Sequence, residues 1–162
     1  MNAEVTAVGS ELLLSQIIDT NSAVIARHFA AIGLDLFYET TVDDNLGRLT
    51  AALRQALERS DVILTTGGIG PTADHVTREA VAAATATDRE LVFSDELMRL
   101  SKTFFRSRRF PLSPSNRCPT FIPAGAIPVE NPAPAVAEGV ARAAHETGVA
   151  RRGRRLDLSR VE

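Results

Sequence analysis

The run Thr65-Thr66-Gly67-Gly68-Ile69-Gly70-Pro71-Thr72-Ala73-Asp74-His75-Val76-Thr77 constrains this chain more than any other stretch. Ahead of it stands Val62-Ile63-Leu64, a short apolar run that reads as a buried strand. Behind it Val76, Ala80, Val81 and Ala84 recur at helical spacing and read as one helix face. A glycine-rich turn between a strand and a helix leaves backbone N–H groups exposed beside a helix N-terminus. Bare donors and the helix dipole both favour negative charge there, so the turn is a natural anion cradle. Two readings fit the glycines: a tight turn that needs φ > 0, or a cradle for phosphate. The run matches neither G-x-x-x-x-G-K-[ST] nor G-x-G-x-x-G and holds no lysine, which argues against a P-loop. Asp74 and His75 add groups able to hold a metal ion or move a proton.

Strand and helix patterns alternate along the rest of the chain. Ala3 to Val8 fits a first strand, which Gly9-Ser10-Glu11 ends. Asp19-Thr20-Asn21 offers caps, and Val24, Ile25, Phe29 and Ile32 give a helical stripe that stops at Gly33. Leu34 to Val42 is rich in aromatic and β-branched residues and reads as a second strand. Asp43-Asp44-Asn45 caps the next helix, whose core face is Leu46, Leu49, Leu53 and Leu57. A third helix follows near Val76 to Ala86. A fourth starts at Ser94-Asp95-Glu96, with Leu97, Leu100, Phe104 and Phe105 on its apolar side. Prolines at 111, 114, 119, 123, 128 and 132 break any long element beyond, leaving short extended pieces at Thr120-Phe121-Ile122 and Ile127-Pro128-Val129. This alternation predicts a mostly parallel sheet covered by helices, an α/β fold. Ligands of such sheets sit beyond the carboxyl ends of the strands. Gly9-Ser10-Glu11, Val42-Asp43-Asp44-Asn45 and the glycine turn would converge there, each bringing a carboxylate.

Composition narrows the function classes. A net charge of −2 gives no basic field for nucleic acid. No stretch approaches the roughly 20 apolar residues of a membrane span, and the first residues lack a signal-peptide pattern. The single cysteine, Cys118, leaves no internal disulfide and no multi-cysteine zinc site. The expectation is a cytoplasmic protein with neither membrane nor nucleic-acid partners.

Four ordered motifs resemble a known family. They are Ala7-Val8-Gly9-Ser10-Glu11-Leu12-Leu13, then Asp19-Thr20-Asn21, then Val42-Asp43-Asp44-Asn45, then Gly67-Gly68-Ile69-Gly70-Pro71-Thr72 with Asp74 and Thr77. Over residues 1 to 132 the chain is similar to the N-terminal, molybdopterin-binding-like domain of the competence/damage-inducible CinA family, whose superfamily includes MoaB-, Mog- and MoeA-like proteins. The resemblance implies a three-layer α/β/α fold and a phosphate-containing nucleotide or pterin as ligand, molybdopterin among them. It also implies metal-dependent ADP-ribose pyrophosphatase activity, with Mg²⁺, Mn²⁺ or Co²⁺, and assembly as a dimer or trimer. Full-length members often carry a second domain that deamidates nicotinamide mononucleotide. That domain is not expected in this chain.

Carried over residue by residue, Gly67, Gly68, Gly70, Pro71 and Thr72 match the family's G-G-x-G-P-T turn, and Asn21 its T-N pair. With Thr77 these are the candidate phosphate contacts. Asp44, Asp74 and Glu11 are the candidate metal ligands, and Asp44, Asp74 and His75 the candidate catalytic groups. Simpler roles stand beside these: Asp44 as a cap of the helix near Leu46, Thr72 or Asp74 as a cap of the third helix, Glu11 in a surface ion pair. His28 and His145 read as structural or solvated.

The chain also departs from the family. His75 stands where the family has a second aspartate, Asp43 where it has glycine, and Pro119 and Thr120 where it has Gln and Ala after Asn116. Pro123, Gly125, Ala126, Asn131 and Pro132 keep the P-x-G-A…N-P pattern. Beyond Pro132 agreement stops, and residues 133–162 read as an Ala/Arg-rich tail expected to be poorly ordered. Such a change is what a shifted reading frame in GC-rich DNA would give. Two alternatives to the hydrolase follow: a non-catalytic pterin- or nucleotide-binding module, or an inactive truncated fragment.

Overall fold

Strand β1 (Asn2–Val8) is buried along nearly its whole length, the pattern of a central parallel strand covered on both faces. In the computed structural model, which describes residues 1–68, 76–85, 91–107, 121–123, 126 and 148–151, β1 pairs parallel with β2 (Asp35–Val42) and with β3 (Val62–Gly67). Strand β6 (Gly148–Arg151) adds antiparallel to β3, giving the order β2-β1-β3-β6. The helices are α1 (Ser10–Leu13), α2 (Thr20–Ala31), α3 (Leu46–Arg59), α4 (Val76–Thr85) and α5 (Asp95–Ser107). A separate two-stranded sheet joins β4 (Leu91–Phe93) to β5 (Phe121–Pro123), where Phe93 and Phe121 meet edge to face at 5.5 Å.

Side chains alternate across the sheet and so feed two cores. Ala3, Val5, Val62 and Leu64 meet Phe29 of α2 and Leu34, with Ile25 alongside. Val8, Val42 and Ile63 meet Leu49, Leu53 and Ala56 of α3 and Ala80 of α4. Helices therefore cover both faces, as the expected α/β/α arrangement requires. Leu49 is fully buried, and burying a leucine side chain contributes about 1.5–3 kcal/mol.

Several elements differ in detail from the sequence reading. β3 runs to Gly67, because Thr65 and Thr66 continue the ladder opposite Thr6 and Ala7. Both threonines are buried there, and their β-branched side chains suit the pleated sheet. α2 is capped by Asp19, whose Oδ1 accepts from the Ser22 N–H at 3.0 Å. Of its predicted stripe Phe29 is buried, while Val24 and Ile32 are exposed. α3 is capped by Asn45 rather than Asp44. Ser94 Oγ accepts from the Leu97 N–H at 3.3 Å and so opens α5, where Leu97 and Met98 are buried. α1 and β4 had no counterpart in the sequence reading. β6 forms within the stretch read as tail.

One carboxylate lies inside the sheet. Glu4 of β1 is fully buried and faces α3. Its oxygens accept from Arg59 Nε at 2.9 Å and Nη2 at 2.6 Å, from Thr40 Oγ1 at 2.9 Å and from Ser60 Oγ at 3.1 Å. Arg59 also stacks 4.0 Å from the Tyr38 ring centre. Burial by itself pushes the Glu4 carboxyl up. The hydrogen bonds from Arg59, Thr40 and Ser60, with the Arg59 charge, outweigh burial and hold it below its ordinary value.

A lowered folded-state value means that the unfolded chain takes up the proton first. The contribution of Glu4 is then complete above the ordinary carboxylate range and fades as pH falls through the folded value. Urea midpoints should decline on acidification, and decline less in Glu4→Gln. Arg59→Met, which leaves Glu4 buried without its cation, should cost about 2–3 kcal/mol at neutral pH. This is somewhat below the usual cost of breaking a buried pair, because Arg59 is part exposed.

Candidate functional site

Register brings the three parallel strands to a stop at one level. Val8 lies opposite Val42 on one side and Gly67 on the other. The segments that follow, Gly9-Ser10-Glu11, Asp43-Asp44-Asn45 and Gly67-Gly68, therefore leave the sheet along one edge. The sequence reading placed a site here.

Gly67 and Gly68 are held in the left-handed region, at φ 86° and 65°. Neither position has room for a side chain. A Cβ on Gly67 would stand 2.1 Å from the Val8 carbonyl oxygen. One on Gly68 would stand 2.2 Å from Thr77 Oγ1 and 2.8 Å from Val8 Cγ1. Thr77, in the first turn of α4, donates its hydroxyl to the Gly67 carbonyl at 3.1 Å. In this arrangement its proton ties the turn to the helix. Tight-turn geometry and a bare backbone thus coexist at this edge, and the two readings of the glycines do not exclude each other.

The other two loops are clasped together. Asp44 Oδ2 accepts from both the N–H and the Oγ of Ser10, each at 3.0 Å. The Gly9 N–H donates to the Val42 carbonyl at 2.9 Å just beneath. Ser10 opens α1, so Asp44 serves as a cap supplied from the neighbouring loop. Asn45 caps α3, its Oδ1 accepting from the Arg48 N–H at 3.0 Å. Asp43 turns away to pair with Arg48, whose hydrogen bonds hold its carboxyl below the ordinary range. Of the two adjacent aspartates, only Asp44 faces the β1 loop. Two donors on Oδ2 fill that oxygen, which leaves Oδ1 as the oxygen open to a ligand.

Glu11 is exposed, and its carboxylate folds back over Gly9, where a Cβ would meet Oε1 at 2.7 Å. Asn21, in the first turn of α2, donates from Nδ2 to Thr66 Oγ1 at 3.4 Å and ties that helix to the end of β3. Glu11, Asn21, Asp44, Gly67, Gly68 and Thr77 are therefore accounted for, on the three converging loops and the helix starts beside them. Gly70, Pro71, Thr72, Asp74 and His75 lie outside the described residues. No three His, Cys, Asp or Glu groups come together as a metal site among the described residues. Among the described residues Asp44 through Oδ1 and Glu11 are the carboxylates offered at this edge, and these two do not by themselves make a metal site. Ser10 escaped sequence reasoning as a site residue. Its signal was its place between Gly9 and Glu11, but its partner is 34 residues away.

Comparison with known proteins agrees with this fold. The profile of a probable molybdopterin binding domain matches residues 4–152. The chain is 43% identical to a competence-damage inducible protein of Halothermothrix orenii over 132 residues, 82% of this chain and 32% of that protein. It is 40% identical to a namesake from Caldicellulosiruptor saccharolyticus over 131 residues, 81% of this chain and 31% of that one. It thus spans about a third of the length of these curated relatives. The crystal structure of CinA from Thermoplasma acidophilum, described as of unknown function, superposes with a TM-score of 0.75 at 29% identity, over 92% of this chain and 80% of that one. The molybdopterin biosynthesis enzyme MoaB of Thermus thermophilus superposes at 0.51 and 20% identity over 75% and 78%, a likeness of fold alone. No helix among the described residues is long and apolar enough to cross a membrane.

The close approach at Gly67 sets a measurable contrast. Gly67→Ala should lower unfolding free energy by more than about 3 kcal/mol, combining left-handed strain with a clash against backbone. Gly33→Ala, also left-handed at φ 74° but with nothing within 4 Å, should cost only about 1–2 kcal/mol. Denaturant titration of the two variants side by side checks this.

Proposed function

The chain belongs to the molybdopterin-binding domain family and resembles its CinA members, and on that premise we propose that its sheet edge binds a ligand through phosphate: a pterin phosphate such as molybdopterin, or an ADP-ribose-like nucleotide. The support that carries most weight is the left-handed Gly67-Gly68 turn. Bare backbone reaches the edge there, level with the Asp44–Ser10 clasp. Backbone N–H groups of such a turn donate to anionic oxygens without needing a charged side chain. Gly70, Pro71 and Thr72 extend the same turn in sequence and belong to this proposal. Thr77 holds the turn shape, and Asn21 lines its other flank.

The finer reading is hydrolysis of a phosphoanhydride. Water adds to one phosphorus of ADP-ribose, the bridging oxygen leaves with the other phosphate, and the products are AMP and ribose 5-phosphate. Asp44 through Oδ1, Asp74 and His75 are the groups assigned to orienting the water and taking its proton. Asp44, Asp74 and Glu11 are the donors assigned to Mg²⁺, Mn²⁺ or Co²⁺, an ion that would neutralise charge on the diphosphate. A second reading, binding without turnover, draws support from His75, which supplies no fixed negative charge where the family resemblance implies an aspartate.

Purified protein incubated with ADP-ribose and each metal in turn should release AMP. Asp44→Asn and Asp74→Ala should each lower kcat/KM by at least about 100-fold. AMP release that survives both substitutions would remove the assigned residues. Calorimetric binding of ADP-ribose without AMP release would establish the second reading instead, and absence of both would sink the phosphate-ligand proposal for this nucleotide.

A further inference from the structure

We propose that the pair of buried Glu4 and half-buried Arg59 is the register lock of strand β2, and that through it these two residues position Asp44 at the candidate site. The inference goes beyond the function proposed above and holds whichever ligand the edge takes.

β2 needs such a lock. Among the described residues it pairs on one side only, with β1. Its pairing is also irregular, since Ala3 lies opposite Leu36 but Glu4 lies opposite Tyr38. Phe37 is therefore the extra residue of a β-bulge, and it is 65% exposed. Closing the bulge would instead set Phe37 opposite Glu4 and Glu39 opposite Thr6, shifting the rest of the strand by one residue, about 3.3 Å, and sending its side chains to the other face. Burial does little to forbid the slip. Leu36-Phe37-Tyr38 and Thr40-Thr41 place similar residues on both faces, and only Val42 of the strand is buried.

Glu4 and Arg59 grip the strand just past the bulge. Thr40 Oγ1 donates to Glu4 Oε1 at 2.9 Å. Arg59 stacks on Tyr38 and approaches Thr40 Oγ1 at 3.5 Å. A one-residue slip would carry Tyr38 and Thr40 together to the opposite face. The fully buried Glu4 carboxylate would lose a donor, a penalty that falls on the wrong register alone. Two residues beyond Thr40, the Val42 carbonyl receives the Gly9 N–H. Two further on, Asp44 receives Ser10. Neither contact survives a slip. Buried polar groups are known to fix register, as a single buried Asn does in a coiled coil.

The test separates positioning from plain stabilisation. In the full chain, Glu4→Leu/Arg59→Met replaces the pair with apolar groups of similar size, a change that often leaves stability intact. Nuclear magnetic resonance should then show native β1–β3 contacts. The β1–β2 contacts beyond Glu4 should fall into more than one set, and the Gly9 and Ser10 amides should exchange at least about tenfold faster while Leu64 is unchanged. A single native set with unchanged Gly9 and Ser10 exchange overturns the proposal, and so does uniform acceleration across all three strands. If the double variant does not fold, Arg59→Lys decides. It keeps the charge but loses the planar fork and the stack. The same selective acceleration supports the lock, and unchanged or uniform exchange overturns it.

Discussion

A Cβ at position 67 would stand 2.1 Å from the Val8 carbonyl oxygen, so β3 can finish beside β1 as it does only because residue 67 has none. That approach sets the level at which the sheet ends. Val8 is also opposite Val42, so the same level governs where the β2 loop leaves. Glu11, Asp44 and the glycine turn share an edge for this reason. Moving any one strand by a residue would carry its loop about 3.3 Å out of the group.

The chain holds this level with two different kinds of interaction. On the faces, apolar burial acts: Leu49, Leu53 and Ala56 cover Val8, Val42 and Ile63, while Phe29 covers Ala3, Val5 and Leu64. Such contacts are strong but nondirectional, and they hold β1 and β3, which are buried along nearly all their length, better than the exposed outer strand β2. There directional bonds take over. Glu4, Arg59 and Thr40 join β1, α3 and β2 at one point, and Ser10 with Asp44 joins the two loops at another. At the second point, satisfying α1 and shaping the site are one act. The carboxylate oxygen that caps Ser10 is no longer open, and its partner Oδ1 is the oxygen left facing a ligand that the edge would take.

The α/β class, the order of the first helices and strands, and the convergence of three loops on one sheet edge were legible because each depends on short-range pattern. Leucines at 49 and 53 mark the core side of α3 through spacing alone, and glycines between a strand and a helix mark the edge. The motifs quoted from Ala7 to Thr77 identified the family for the same reason, since each is contiguous. Ambiguity remained where local chemistry allows several partners. Asp43, Asp44 and Asn45 are all good caps, and nothing in their order says that Asn45 takes α3, Asp43 takes Arg48 and Asp44 crosses to Ser10.

Which residues are chemically able to act was thus determined by the sequence: the carboxylates, the glycines, the hydroxyls and their places on one edge of a parallel sheet. What each of them is committed to was decided by the tertiary structure. Glu4 looks like an ordinary charge in an alternating strand and is instead the fully buried partner of Arg59, 55 residues away. Thr77 looks like a ligand hydroxyl and instead donates to the Gly67 carbonyl. Hydrogen bonds are short-ranged and directional, so they depend on which atoms the fold brings within about 3 Å. Periodicity and spacing along one chain carry no information about that.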